Sequence, residues 1–464
     1  MDVPRTLAES RTAGRALRET APRRSHAELR LPDRDPVAVV AEQNADRIHE
    51  LVPLRVGRML ESPFAWYRGT AATMAADLAA GPRTGATVVA CGDAHVANFG
   101  LFASPERRVV FDLNDFDEAA DGPWEWDVKR LATSMHVAGR DAGMTEEQCG
   151  DAARRAVRGY RDGLDELLSL GAVERFAFQV EIEAVEPLLE DAGREELRRT
   201  LRRALRRTSE HVVRRITTRT ADGRTRIVDQ PPVTQHVKTA TPEQLTTLFE
   251  RYREPLRADV RLLLGQFELV DHVLRVVGVG SVGTRCYIAL LEGPAGEPLV
   301  LQVKEAVPSV LATYGGMADA LPAGLVPAGD VPAQGRRVVA AQRILQAHSD
   351  PFLGWTTVEA DESPAGRRVD FYWRQFRDMK GSVELDRLTP VQLARYGGFC
   401  GRVLARAHSQ SPAARVVHAY LGRSDAFEDA VAAWARAYAD VVEQDHARLA
   451  AAVADGRLPA ERGA

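Results

Sequence analysis

Apolar residues recur at three-to-four spacing across residues 37–60 and again across 64–78, after Ser62-Pro63. This predicts helices through 37–80. Two short apolar runs, 87–90 and 109–113, each predict a strand. Residues 124–138 predict a helix with Pro123 near its first turn, and helical spacing continues over 145–216 with a break around Gly171. Residues 220–240 are polar, carry Pro231-Pro232 and read as a loop or linker, and 242–267 is helical again. At Val270 the pattern changes. Runs 273–277, 285–291 and 299–303 alternate or are β-branched, and the turn 292–297 joins the last two as a hairpin. Then 338–347 predicts helix, 369–376 strand, and 393–407 and 426–452 helices. Residues 1–36, rich in Arg, Glu, Asp and Pro, read as a flexible arm. The division expected is therefore a helical unit over 37–267, a β-rich unit over 268–380, and helices over 381–464 that complete the first unit.

Composition narrows this picture. The chain has 464 residues, 45% of them apolar, enough to bury a large core. Its 61 basic and 65 acidic side chains leave a net charge of −4, which does not point to nucleic acid as a partner. Cys91, Cys149, Cys286 and Cys400 form no CxxC pair, so neither a disulfide framework nor a zinc site is expected, and a reduced cytoplasmic setting is the simplest reading. No run of about 18 apolar residues predicts a membrane span.

Four motifs carry chemistry. Gly92-Asp93-Ala94-His95-Val96-Ala97-Asn98 follows a strand, so Asp93 can accept a hydrogen bond from a substrate hydroxyl and Asn98 can ligate Mg²⁺. Asp112-Leu113-Asn114-Asp115-Phe116-Asp117-Glu118 crowds four carboxylates into seven residues, which calls for a cation. Gly278-Val279-Gly280-Ser281-Val282-Gly283 lies between two strand-like runs rather than before a helix, as a phosphate lid requires. Lys304 ends the alternating Leu301-Gln302-Val303, which turns its amine inward, toward an anionic partner. Arg68, in an aromatic helix, can clamp a phosphate or serve in a structural ion pair. His95 is read as orienting its loop, and His408 and Arg374 as structural. The arginine-rich run 198–207 fits a solvated amphipathic helix.

At these residues the chain resembles the aminoglycoside phosphotransferase and protein kinase-like superfamily. Gly92-Asp93-Ala94-His95 with Asn98 is similar to its catalytic loop, and Asp115-Phe116-Asp117 with Asp127 to its metal segment. The resemblance implies an α+β, two-lobe kinase-like fold using ATP and Mg²⁺. Asp93, Lys304 and Arg68 would be catalytic. Gly278, Gly280, Ser281, Gly283, Lys304 and Gln375 would bind the nucleotide. Asn98 and Asp115 would hold the metal, with Asp112 as the alternative ligand, and Asp127 would brace the catalytic loop. Residues 375–379 would form the adenine hinge. The chain more closely resembles an uncharacterised bacterial family, domain of unknown function 2252, through 62–69, the catalytic loop, 122–131, the glycine loop and 371–382.

Three departures stand out. Cys91 precedes Gly-Asp where the superfamily has His, and the helix expected to pair with Lys304 offers Gln342 rather than Glu, with Glu305 merely adjacent. The motif order is also inverted, as in a circular permutation, with Leu404-Ala405-Arg406-Ala407-His408 resembling the helix that ordinarily leads into the catalytic loop. The expected activity is phosphoryl transfer from ATP to a hydroxyl of a small molecule. Protein phosphorylation, nucleotidyl transfer, or a nucleotide-binding pseudokinase acting as sensor or scaffold are the alternatives.

Overall fold

The computed structural model describes residue 4 and residues 6–180, 209–220, 225–236, 242–321, 333–363, 366–376 and 381–461, with 195, 198, 199, 201 and 202 between. The molecule is mixed α+β. Helices dominate its first half and its end, and a six-stranded antiparallel sheet lies between. Four short strands belong to the helical part: β1 (Thr87–Ala90), β2 (Phe99–Ala103), β3 (Val109–Leu113) and β4 (Ala120–Pro123), paired as β1 with β4 and β2 with β3. Next come the hairpin of β5 (Thr217–Arg219) and β6 (Thr225–Ile227), then β7 (Thr234–Gln235). The region read as a loop thus holds short strands. The large sheet adds β8 (Glu268–Arg275), β9 (Cys286–Glu292), β10 (Pro298–Ala306), β11 (Gly354–Val358) and β12 (Val369–Gln375), in the order β11-β12-β10-β9-β8-β7.

The helical core is built on two helices that fit their sequence signals. Trp124–Asp141 starts directly after Pro123, and nearly all of it is buried. Pro390–His408 opens with Thr389 and Gln392 in a reciprocal capping box and with Pro at its first position. Glu146–Ser169 packs between them, close enough that a Cβ at Gly159 would meet the Gly398 carbonyl at 2.0 Å. The Gln334–Leu345 helix, inserted between β10 and β11, covers the sheet face that looks toward this core.

The flexible arm expected over 1–36 is not what the structure holds. Leu7–Thr20 is a helix with a Thr6/Glu9 capping box. Arg18 and Arg23 donate to the carbonyls of Ala419, Tyr420 and Leu421, and His26 meets the Tyr420 hydroxyl at 2.9 Å. Those arginines cap the C-terminal carbonyls of the Ala414–Leu421 helix, so the charge that suggested disorder is used in docking. All four cysteines are buried free thiols. No helix among the described residues is long and apolar enough to cross a membrane. The arginine run 198–207 lies largely outside the described residues. Within it, Arg199 faces Glu384 at 3.7 Å and Arg202 faces Glu195 at 2.8 Å.

Candidate functional site

The loop over residues 92–98 begins where β1 ends. Gly92 adopts φ 77°, and a side chain there would strike the Glu118 carbonyl at 2.2 Å, so glycine is required. Asp127, in the first turn of the Trp124–Asp141 helix, accepts from the N–H of Cys91 at 2.6 Å and of Gly92 at 2.9 Å. His408 Nε2 reaches the same carboxylate at 3.0 Å, and Tyr160 holds the other ring nitrogen at 2.9 Å. This buried network fixes the loop that presents Asp93.

Asp93 is engaged on one side only. Arg130 Nε and Nη2 both reach its Oδ1, at 2.8 and 2.7 Å, and Arg130 lies over the Tyr67 ring at 4.0 Å. Oδ2 faces His95 Nε2 at 3.8 Å, too far for a hydrogen bond. Burial pushes His95 down to about 4, so its ring is neutral near pH 7. Asn98 donates Nδ2 to the Asp93 carbonyl at 2.7 Å, leaving its amide oxygen for the cavity it lines.

Lys304 is 2% exposed and points inward from β10. Its amine pairs with Asp117 and lies 3.7 Å from Asp115 Oδ1, while the Tyr372 hydroxyl donates to Asp117 at 2.7 Å. Burial opposes the lysine charge, but Asp115 and Asp117 outweigh it and hold the ammonium above its ordinary pKa. Burial and then the Asp115 charge push Asp117 upward. The acidic partners of Lys304 therefore come from the acidic loop that follows β3. Gln342 occupies the helix, buried, with its Nε2 donating to Gln346. Glu305, next in sequence, faces the other way, toward Arg285 and Arg367.

The glycine loop spans the turn between β8 and β9. Gly278 and Gly283 have φ of 66° and 86°. The loop is folded down on the helical side, where Ile48 N–H donates to Gly283 O at 2.8 Å, Arg47 to Val282 O at 2.6 Å and Arg58 to Gly278 O at 2.6 Å. Among the described residues, the N–H groups of Gly280 and Ser281 take no backbone partner.

Two adjoining cavities result. The larger, about 1040 Å³, runs between sheet and helices and is lined by Lys304, Gln302, Arg374 and Gln375 together with Asn98 and Asp115. The smaller, about 120 Å³, lies under the glycine loop and holds Asp93. Arg68, Asn98, Asp115, Gly278 and Ser281 border both. Asp93, Asn98, Asp115, Lys304, Arg68, Gly278, Gly280, Ser281 and Gln375 thus converge. Gly283 sits behind the loop, against Arg47. Of the expected hinge, Gln375 borders the larger cavity, and 377–379 lie outside the described residues.

Asp112 is a correction. Its carboxylate accepts from the N–H of Leu113 at 2.8 Å and of Ala347 at 3.0 Å and borders neither cavity. Its main-chain hydrogen bonds hold it away from the cleft, which Asp115, just beyond the strand, borders. No group of three or more metal-ligating His, Cys, Asp or Glu occurs among the described residues. One carboxylate and one amide are still a donor set that fits Mg²⁺, which completes its shell with phosphate oxygens and water.

A family model described as an uncharacterized protein conserved in bacteria (DUF2252) matches residues 47–452. The chain belongs to the DUF2252 family. No curated protein and no solved structure matches it. The family match includes every residue named above as bordering the cavities. Sequence reading missed Arg130, Tyr372, Arg47 and Arg55 in this site. Arg130 alone left a signal, because it follows Asp127 by one helical turn and so shares its face.

Proposed function

We propose that this DUF2252 protein is a kinase-like, two-lobe phosphotransferase with circularly permuted motif order, moving a phosphoryl group from ATP to a hydroxyl of a small molecule. One observation carries the reading. Asp93, Asn98, Asp115, Lys304 and the glycine loop, from segments almost two hundred residues apart, border one pair of adjoining cavities. Kinase sites combine a glycine loop between two strands, a lysine on the next strand, and an Asp and Asn on the opposite lobe. Here the loop joins β8 to β9, Lys304 lies on β10, and a helix follows before β11. The permutation has support from the Pro390–His408 helix. His408 contacts Asp127, and Ser411 Oγ accepts from Val89 N–H at 2.9 Å, so this helix ends beside the strand that leads into the catalytic loop.

In this reading the larger cavity takes the nucleotide, with Lys304 and the N–H group of Ser281 on its phosphates. Asp93 Oδ2 receives the acceptor hydroxyl hydrogen, and Arg130 keeps Oδ1 from competing. Asn98 and Asp115 would hold Mg²⁺, which neutralises charge on the transferred group when bound. Placement and electrostatics supply the rate.

The test compares Mg²⁺-dependent ATP turnover in wild type, Asp93→Ala and Asp115→Ala. Both variants should fall by at least about 10²-fold. Equal activity in all three rejects the assignment. Gln342 in place of an acidic residue favours a second reading, a nucleotide-binding pseudokinase. ATP-dependent thermal stabilisation without turnover over a broad acceptor panel would select it. The mass added to a product, one phosphate or one nucleoside monophosphate, separates phosphoryl from nucleotidyl transfer.

A further inference from the structure

The small cavity contains an imbalance that phosphoryl transfer does not explain. Arg47, Arg55 and Arg68 all border it, and among the described residues none of the three forms an ion pair. Arg55 is fully buried, and its partners are neutral: Asn44 Oδ1 at 2.7 Å, Gln43 Oε1 at 3.1 Å and Gly69 O at 3.2 Å. Arg47 is held by the carbonyls of Gln43 and Val282. Among the described residues Arg68 has no hydrogen-bond partner, and its Nε is buried. The Arg55 Nε is likewise buried and unpartnered. Burial lowers Arg47 to about 10, against the opposing charges of Glu118, Glu305 and Asp117, and lowers Arg55 well below its ordinary value, with repulsion from Arg47 adding to the latter.

The carboxylates of the cavity have partners of their own. Asp93 is held by Arg130, Asp115 and Asp117 share Lys304, and Glu305 has Arg285 and Arg367. Glu118 accepts from the Val310 N–H at 2.7 Å. Three guanidinium groups are thus gathered around one small space without a direct ion pair. Glu118, Glu305 and Asp117 act on Arg47, and Asp93 and Glu61 on Arg68, only from beyond salt-bridge distance. Burying charge that way is expensive unless an anion enters. Guanidinium forks suit carboxylate and phosphate oxygens.

We propose that this cavity holds an anionic group of the acceptor, a phosphate or carboxylate, gripped by Arg47, Arg55 and Arg68. The proposal rests on the phosphotransferase reading. Its position favours the acceptor over the nucleotide. Asp93, which meets the acceptor hydroxyl, borders only the small cavity, whereas Lys304, Gln302 and Gln375 border only the large one. The space of about 120 Å³ admits a charged group rather than a bulky molecule. The acceptor is thereby a hydroxylated acid or a phosphorylated alcohol, with its hydroxyl close to its anionic end.

Inorganic phosphate is the probe. Thermal stability and calorimetric titration of the full chain would be followed with phosphate alone, with phosphate plus Mg²⁺ and ADP, and with phosphate plus a non-hydrolysable ATP analogue. Saturable phosphate binding is expected in all three conditions, weakened about tenfold or more in Arg68→Ala and in Arg47→Gln. Arg55→Lys keeps the buried charge and covers the case in which removing it prevents folding. Phosphate excluded by the ATP analogue but not by ADP would assign the arginines to the nucleotide's terminal phosphate and overturn the acceptor assignment. Phosphate binding that is absent, or indifferent to Arg68 and Arg47, overturns the site itself. The phosphate-only arm does not depend on nucleotide binding, so loss of the phosphotransferase reading would show separately, as no response to ADP.

Discussion

The two acidic loops of the site are held in opposite ways. Around Asp93 the charges are matched, with Arg130 on its Oδ1 and Asp127 saturated by two N–H groups and His408. Around Asp115, Asp117 and Glu118 three carboxylates cluster. Lys304 is the direct ion-pair partner of the first two, with a tyrosine hydroxyl on Asp117 and a main-chain N–H on Glu118, and Arg374, Arg337 and Arg47 act from farther off. The first loop is complete as folded. The second relies on one direct ion-pair partner, Lys304, at the edge of the larger cavity, where a divalent cation would add balancing charge. The difference separates carboxylates satisfied within the helical part from carboxylates that depend on a lysine from the distant sheet.

The largest test of this contrast is Asp127→Ala. It strands two buried N–H groups and His408, and denaturant unfolding should show a loss of about 3–5 kcal/mol. Asp127→Ala behaving no worse than Asp115→Ala would erase the contrast. Lys304→Met comes next. It leaves Asp115 and Asp117 without their cation, with an expected loss of about 3 kcal/mol. Added Mg²⁺ should recover more stability in this variant than in wild type, and equal Mg²⁺ effects would place the cation elsewhere.

A pH control lies outside both loops. Burial, with Lys129 adding repulsion, pushes His26 down to about 3, where it meets the Tyr420 hydroxyl. Below about pH 6.5 the unfolded chain then binds a proton that the folded chain refuses, so stability falls as pH drops from about 6.5 to 3. His26→Gln should flatten that slope by up to about 1.4 kcal/mol per pH unit in melts across the range. The smallest expected effect is Tyr372→Phe, which removes one hydrogen bond to Asp117 at a cost of about 1 kcal/mol. A much larger loss would mean that the second loop leans on the tyrosine more than on Lys304.

Much of this site was legible because its motifs are local. Gly92 before Asp93, the glycines at 278–283 and the alternation leading to Lys304 each impose a backbone or facing requirement within a few residues. The β8–β9–β10 arrangement follows from alternation and turn residues alone. What escaped is long-range pairing. Nothing near Arg47 or Arg55 indicates that the fold will carry them under a loop more than two hundred positions away, and Tyr372 meets Asp117 only through sheet packing. Asp112 was misplaced because four neighbouring carboxylates look equivalent until their hydrogen bonds sort them. The N-terminal arm was misread because arginines that cap another helix have the same composition as arginines in solvent.

The reversed order has a consequence for how the protein is born. Asp115 and Asp117 leave the ribosome about 190 residues ahead of Lys304. At about 5–20 residues per second, that is an interval of roughly 10–40 s. For that time the nascent chain carries its acidic loop without the ammonium that later balances it. A translating cell therefore holds a transient polyanionic hairpin whose electrostatic relief is still being synthesised.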